Sequence, residues 1–187
     1  MPGVLIALAV LVGLGILVFF AFVSLYNGLV RGRNKVDASW AQIEVQLKRR
    51  HDLIPNLVET CKGYMKHERE VLENIARARS GLLSGNPAEA AQANAQLNAG
   101  LRSLMAVVEN YPELKADENF HKLHEELTQT ENAISHARQD YNAAVLQYNN
   151  QTQMIPSNIV AAMFNFKPRE FFEVEAPEER KAVQVKF

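Results

Sequence analysis

VDASWAQIEVQLKRRHDLIPNLVETCKGYMKHEREVLENIARARSGL, residues 36–82, is the stretch whose spacing decides the fold class. Counting alternately four and three from Val36 gives Trp40, Ile43, Leu47, Arg50, Ile54, Leu57, Cys61, Tyr64, Glu68, Val71, Ile75, Ala78 and Leu82. Twelve of these fourteen positions are apolar or aromatic, a period near 3.5 that a helix seam produces and strand alternation cannot. Pro55 falls inside the ladder; it lacks an N–H and crowds the preceding turn, and Asp52 stands three residues before it as a candidate N-cap. The unbroken phase favours one kinked helix and the cap favours two, so both readings stand at this point. The two polar members of the seam, Arg50 and Glu68, must be paired or reach water, and Glu131 and Arg138, seven apart, share a face farther along. A cross-helix ion pair that sets register is the expectation.

Outward from this stretch the helical texture continues. Ser84, Gly85, Asn86 and Pro87 make a turn cluster, followed by a second stripe of Ala90, Leu97, Leu101, Leu104, Val108 and Tyr111. After a boundary at Tyr111 and Pro112, Asp117 is an N-cap candidate for a long helix with Phe120, Leu123, Leu127, Ile134, Ala137, Tyr141, Val145 and Tyr148 on its inner stripe. Short connections between such helices predict an all-α, up-and-down bundle. Beyond Pro156, Ile159, Val160, Met163 and Phe164 suit one more short helix, and Val183, Val185 and Phe187 alternate as an extended end. Phe164, Phe166, Phe171 and Phe172 make this tail too apolar for a disordered one and predict that it docks on the bundle rather than on another subunit.

On the N-terminal side lies VLIALAVLVGLGILVFFAFVSL, residues 4–25, without a charge. At about 1.5 Å per residue these side chains cover roughly 33 Å, enough for a hydrocarbon core of about 30 Å. A cleavable signal peptide is the rival, but no Lys or Arg precedes the run, its length exceeds an ordinary signal core, and no A-x-A site ends it, so retention is expected. Tyr26 is an interfacial aromatic, and Arg31, Arg33 and Lys35 are candidate contacts to anionic headgroups; as a positive flank they point to a cytoplasmic bundle. Ala9, Gly13 and Gly15 place small residues at spacings that let anchor helices pack.

Composition narrows the chemistry. Twenty basic residues nearly cancel 21 acidic ones, which disfavours a nucleic-acid binder. The lone cysteine, Cys61, forms neither an intrachain disulfide nor a thiolate metal site, and His121, His124 and Glu125 lack a further ligand in phase. No cofactor, metal or catalytic constellation is expected. The rival enzymatic reading uses His51, Asp52, His67 and Glu68; on one continuous helix His51 and His67 stand roughly 24 Å apart, so it requires the chain to fold back at Pro55. Residues 109–140 carry eight acids and three bases, net −5, against the basic stretch beside the anchor, an asymmetry suited to orienting a partner or another copy.

The segment YNGLVRGRNKVDASWAQIEVQLKRRHDLIPNLVETCKGYMKHE (Tyr26–Glu68), with ENYPELKADENF (Glu109–Phe120), TENAISHARQDYNAAVLQYN (Thr130–Asn149) and the phenylalanine-rich end, resembles the LemA family over nearly the whole chain. The resemblance implies a membrane-tethered four-helix bundle, favours two helices around Pro55, and implies no catalytic residues. Relatives often carry a small apolar residue at the position of Cys61. Some begin with a lipoprotein signal before the matching Tyr-Asn, which puts their bundle outside the cytoplasmic membrane and conflicts with the positive-inside reading; here Leu25 precedes Tyr26 without a lipid-accepting Cys, and both sides stay open for the bundle. The reading is therefore an anchor and interfacial segment (1–30), a bundle (31–155) and a tail (156–187). Its expected role is a non-catalytic, single-pass scaffold or adaptor of the cell membrane that touches the bilayer through its first helix and acts as a homo-oligomer or by recruiting a membrane protein. The alternative is a sensor or accessory subunit of a membrane complex.

Overall fold

The computed structural model describes residues 2–65 and 67–173, and among these every regular element is helical. The alternating end at Val183, Val185 and Phe187 lies outside the described residues. Helix α1 runs from Pro2 to Tyr64, α2 from Arg69 to Ser80, α3 from Pro87 to Val108, α4 from Pro112 to Lys115, α5 from Glu118 to Gln153 and α6 from Ser157 to Met163, with a 3-10 turn at Gly81–Leu83. The chain packs as two compact units, one of Met1–Ala38 with Ala143–Arg169 and one of Ser39–Asn142 with the segment from Glu170. Helices α1 and α5 contribute to both.

In the second unit, four helical segments carry the predicted seams. Ile43, Leu47, Ile54, Leu57 and Cys61 of α1 are buried together with Ile75 of α2, Leu97 and Leu104 of α3, and Phe120, Leu127 and Ile134 of α5. Helices α1 and α5 are antiparallel, since Trp40 meets Tyr141, Arg50 meets Glu131 and Tyr64 meets Asp117, so the numbers rise on one strand of contacts as they fall on the other. Helices α2 and α3 form an antiparallel hairpin whose close approach depends on Gly100: a Cβ there would stand 2.9 Å from Ile75 Cγ1. The turn between them is built as its composition suggests. Gly85 adopts φ 75°, and Asn86 Oδ1 accepts from the backbone N–H groups of Ala88 and Glu89, capping a helix that opens with Pro87. Asp117 caps α5 through Phe120 N–H at 2.9 Å.

Three expectations need correction. Helix α1 passes through Pro55 without interruption, so the two-helix reading implied by the family resemblance does not hold, and Asp52 lies inside the helix with its carboxylate against His51 Nδ1 at 3.0 Å rather than at a cap. The reason is visible four residues upstream: the His51 carbonyl that Pro55 leaves without a helical donor receives Arg79 Nε of α2 at 2.9 Å. The helix ends instead after Tyr64, and the single ladder counted through Glu68 and Val71 breaks there; in α2 the buried residues are Leu72, Ile75 and Ala78, while Val71 is half-buried. Trp40 is also only half-buried, its ring lying against Tyr141 and Phe172.

The described part of the tail docks on its own chain as expected. In the second unit Asn142 holds the Phe172 peptide from both sides, accepting from its N–H at 2.9 Å and donating to its carbonyl at 3.3 Å, and Tyr141 donates to the Glu170 carbonyl at 2.8 Å. In the first unit Asn149 grips the Arg169 peptide in the same way, at 2.8 and 2.9 Å. Phe164 and Phe166 pack their rings on Tyr26.

Candidate functional site

The most unusual side chain of the second unit is Arg50, which is 1% exposed at the centre of the α1 seam. A guanidinium without water must find acceptors, because an uncompensated buried charge is among the costliest groups in a core. Three helices supply them. Glu131 of α5 forms the ion pair through Arg50 Nη1, Asn94 of α3 accepts from the same nitrogen at 2.7 Å, and Asn98, one turn on, accepts from Nη2 at 2.5 Å. The two amides then turn their NH2 groups to the carboxylate: Asn94 Nδ2 donates to Glu131 Oε2 at 3.2 Å and Asn98 Nδ2 to Oε1 at 2.8 Å. Arg50 Nε is buried without a hydrogen-bond partner among the described residues. Desolvation holds the guanidinium below its ordinary pKa, and the charge of Glu131 opposes that shift.

The predicted cross-helix ion pair thus exists, with a partner the sequence offered but did not single out. Arg138, which shares the helix face of Glu131, is exposed, and Glu68 receives the Tyr111 hydroxyl instead. Asn94 and Asn98 were missed. Their signal was present: they lie one turn apart between Ala90, Leu97 and Leu101, polar residues at seam positions of an otherwise apolar stripe. Beside the network lies a groove of about 350 Å³ bordered by Asn98, Arg102, His124, Thr128, Glu131 and Asn132 among others.

The two pairs of the rival enzymatic reading, His51 with Asp52 and His67 with Glu68, are not brought together. Since α1 continues through Pro55, His51 and His67 are not folded together; His51 contacts Asp52 and Arg79, and the Glu68 carboxylate accepts from the His67 backbone N–H. His124 stacks on the Phe120 ring, and no group of three or more His, Cys, Asp or Glu residues that could hold a metal occurs among the described residues. Cys61 is fully buried, and desolvation pushes its thiol up to about 11, so it is an apolar seam residue in practice.

In the first unit the three headgroup candidates lie just past the apolar run of α1. Arg31 is exposed, Arg33 sits 5.3 Å over the Phe166 ring, and Lys35 donates to Gln147 at 3.3 Å. Arg169 pairs with Asp37 at 2.7 Å. Helix α1 is long and apolar enough near its start to cross a membrane, and its side chains there are exposed, Leu5 by 67% and Phe20 by 66%.

A family model described as the LemA family matches residues 39–187. The chain belongs to the LemA family. Similar relatives include the magnetosome protein MamQ 2 of Paramagnetospirillum magneticum, 27% identical over 195 residues that cover 89% of this chain and 72% of that protein. Protein LemA of Metamycoplasma hominis is 25% identical over 145 residues, covering 76% and 66%, and the magnetosome protein MamQ of Magnetospirillum gryphiswaldense is 25% identical over 174 residues, covering 79% and 64%. The Arg50 network and the Asn142 and Asn149 clamps all fall inside the matched region of this LemA-family chain, whereas the apolar run and the Arg31–Lys35 flank precede it.

Proposed function

We propose that this LemA-family chain is a non-catalytic, single-pass scaffold of the cell membrane that acts by self-association, with its bundle on the cytoplasmic side. The carrying observation is that one helix, α1, holds both an exposed apolar run of membrane-spanning length and the Arg50 seam of the bundle. Exposed apolar side chains over that length are costly in water and stable in lipid. The Arg31, Arg33 and Lys35 flank supports the cytoplasmic side by the positive-inside bias. The Arg50 charge supports a structural rather than a catalytic reading, because its acceptors are residues of the bundle itself. Self-association is supported by the anchor surface, where Gly13 and Gly15 leave open space at the Cβ position, and by the acidic 109–140 segment opposing the basic flank.

The same helix suits a sensor or accessory subunit that relays a signal from the membrane, which is the second reading. Mild crosslinking in intact membranes followed by mass spectrometry separates the two. Crosslinks joining residues of one copy to the same residues of another are expected. Crosslinks to a different membrane protein, with none between copies, would favour the accessory subunit, and a solitary chain at native abundance would remove both.

A further inference from the structure

We propose that the corner between α5 and α6 is a second membrane contact, a wedge that seats Ile155, Ile159 and Met163 in the interfacial layer of the bilayer beside the anchor. The proposal rests on the reading of α1 as a membrane span. In an ordinary short helix the apolar residues face inward. Helix α6 buries Val160 and Ala161, yet its outer side is apolar as well: Ile159 and Met163, spaced by four, are 59% and 66% exposed, and Met154 and Ile155 in the turn that precedes the helix are 62% and 83% exposed. Four large apolar side chains gathered on one corner form a patch that water does not favour.

Two further observations identify lipid as what covers it. The first is depth. On α1 residues 5–21 are exposed, and protein begins to cover the helix at Phe22, inside the last turn of the apolar run. What covers it there is the end of α6: the Phe164 ring lies 5.9 Å from Phe22 and 4.8 Å from Tyr26. Phe164, in contact with both Phe22 and Tyr26, sits across the last turn of the span, within about 5 Å of its end at 1.5 Å per residue. That places the end of α6 at the boundary layer in which interfacial amphipathic helices lie. The second is charge. Residues 143–166 contain no Asp, Glu, Lys or Arg, so the corner enters the interface without desolvating an ion, and charge resumes at Lys167 and Arg169. These join Arg31, Arg33 and Lys35 in the same unit. Apolar side chains at the level of the last turn of the span, with basic residues following directly on both segments, is the order a bilayer surface selects.

The test uses the full-length chain in phosphatidylcholine vesicles containing phosphatidylglycerol. An environment-sensitive fluorophore is attached to single cysteines in a Cys61→Ala background. Phe19→Cys reports on the span, Ile159→Cys on the wedge, and Leu146→Cys is the control, an exposed apolar position of the same unit that neighbours Gln147, the partner of Lys35, at a level about 15 Å past the end of the span at 1.5 Å per residue. Lipids carrying a shallow nitroxide should quench the Phe19 and Ile159 labels and leave Leu146, while aqueous iodide should quench Leu146 and lose most of its effect on Ile159. An iodide-quenched Ile159 label with a lipid-quenched Phe19 label overturns the wedge and leaves the anchor standing. An Ile159 label shielded from both quenchers means that protein covers the patch, and it also overturns the proposal. An iodide-quenched Phe19 label removes the anchor and the wedge together.

Discussion

Removing one member of the Arg50–Glu131 pair should cost very different amounts depending on which member goes. The Arg50 side chain is 2% exposed and that of Glu131 35% exposed, so only the carboxylate can recover hydration when its partner is lost. Glu131→Leu strands a buried guanidinium against two amide oxygens, the situation in which breaking a buried pair costs about 3–5 kcal/mol. Arg50→Met removes the charge that cannot reach water. It leaves Asn94 and Asn98 still donating to Glu131, with the buried Asn94 oxygen unsatisfied at a loss of about 1–3 kcal/mol and the oxygen of the half-buried Asn98 open to water. The double variant Arg50→Met/Glu131→Leu should then be more stable than Glu131→Leu alone, by about 1–2 kcal/mol, because the stranded charge has gone. Urea unfolding of the full-length protein in detergent, followed by far-ultraviolet circular dichroism, measures all three. Arg50→Met proving the more damaging single change would refute the reasoning, since it would mean that the pair is held for the carboxylate and not for the buried cation.

Arg79→Met should cost about 1–2 kcal/mol in the native background and at most half as much with Pro55→Ala, where residue 55 can supply the N–H that the His51 carbonyl lacks; equal costs in both backgrounds would show that Arg79 does not replace that bond. Trp40→Ala should destabilise by about 2–3 kcal/mol, below the roughly 3–5 kcal/mol of a fully buried ring, and thermal unfolding with no shift would mean that the contacts with Tyr141 and Phe172 carry nothing. The Phe120 N–H bond holds the Asp117 carboxyl below its ordinary range, so its contribution is present above the unfolded value of about 3.9 and lost as pH falls through the lower folded value. The stability gap between the native protein and Asp117→Asn should therefore shrink on acidification, and a gap constant down to the acid transition would contradict the cap. Cys61 should resist thiol reagents at mildly alkaline pH until the bundle is unfolded, and rapid labelling of the native protein would contradict its burial.

Much of this architecture follows from local chemistry. Side chains at helical spacing, an Asp before Phe120 and a charge-free run at residues 4–25 each act within a few residues of chain, so the seams, the α5 cap and the apolar span were legible without coordinates. The departures come from partners distant in sequence. Pro55 looks like a break because its own helix cannot satisfy His51, and only the hairpin that brings Arg79 back makes the continuous helix tolerable. The true end after Tyr64 had a local signal in Lys62 and Gly63, which a count that stayed in phase through Glu68 overrode. Arg50 announced itself as a charge in a seam, whereas Asn94 and Asn98, polar residues in an otherwise apolar stripe, gain a stated role only from the buried cation that requires acceptors there. Ile159, Val160, Met163 and Phe164 suit a short helix, but which of them face outward is not legible, since the side of a seven-residue helix that meets protein is set by packing alone.

The most direct measurement is the intact mass of the protein recovered from membranes that have been washed with alkaline carbonate. The account predicts that the chain stays in the lipid fraction with residues 1–25 attached. Release into the wash, or a mature start near Tyr26, would contradict a scaffold held in the bilayer by α1.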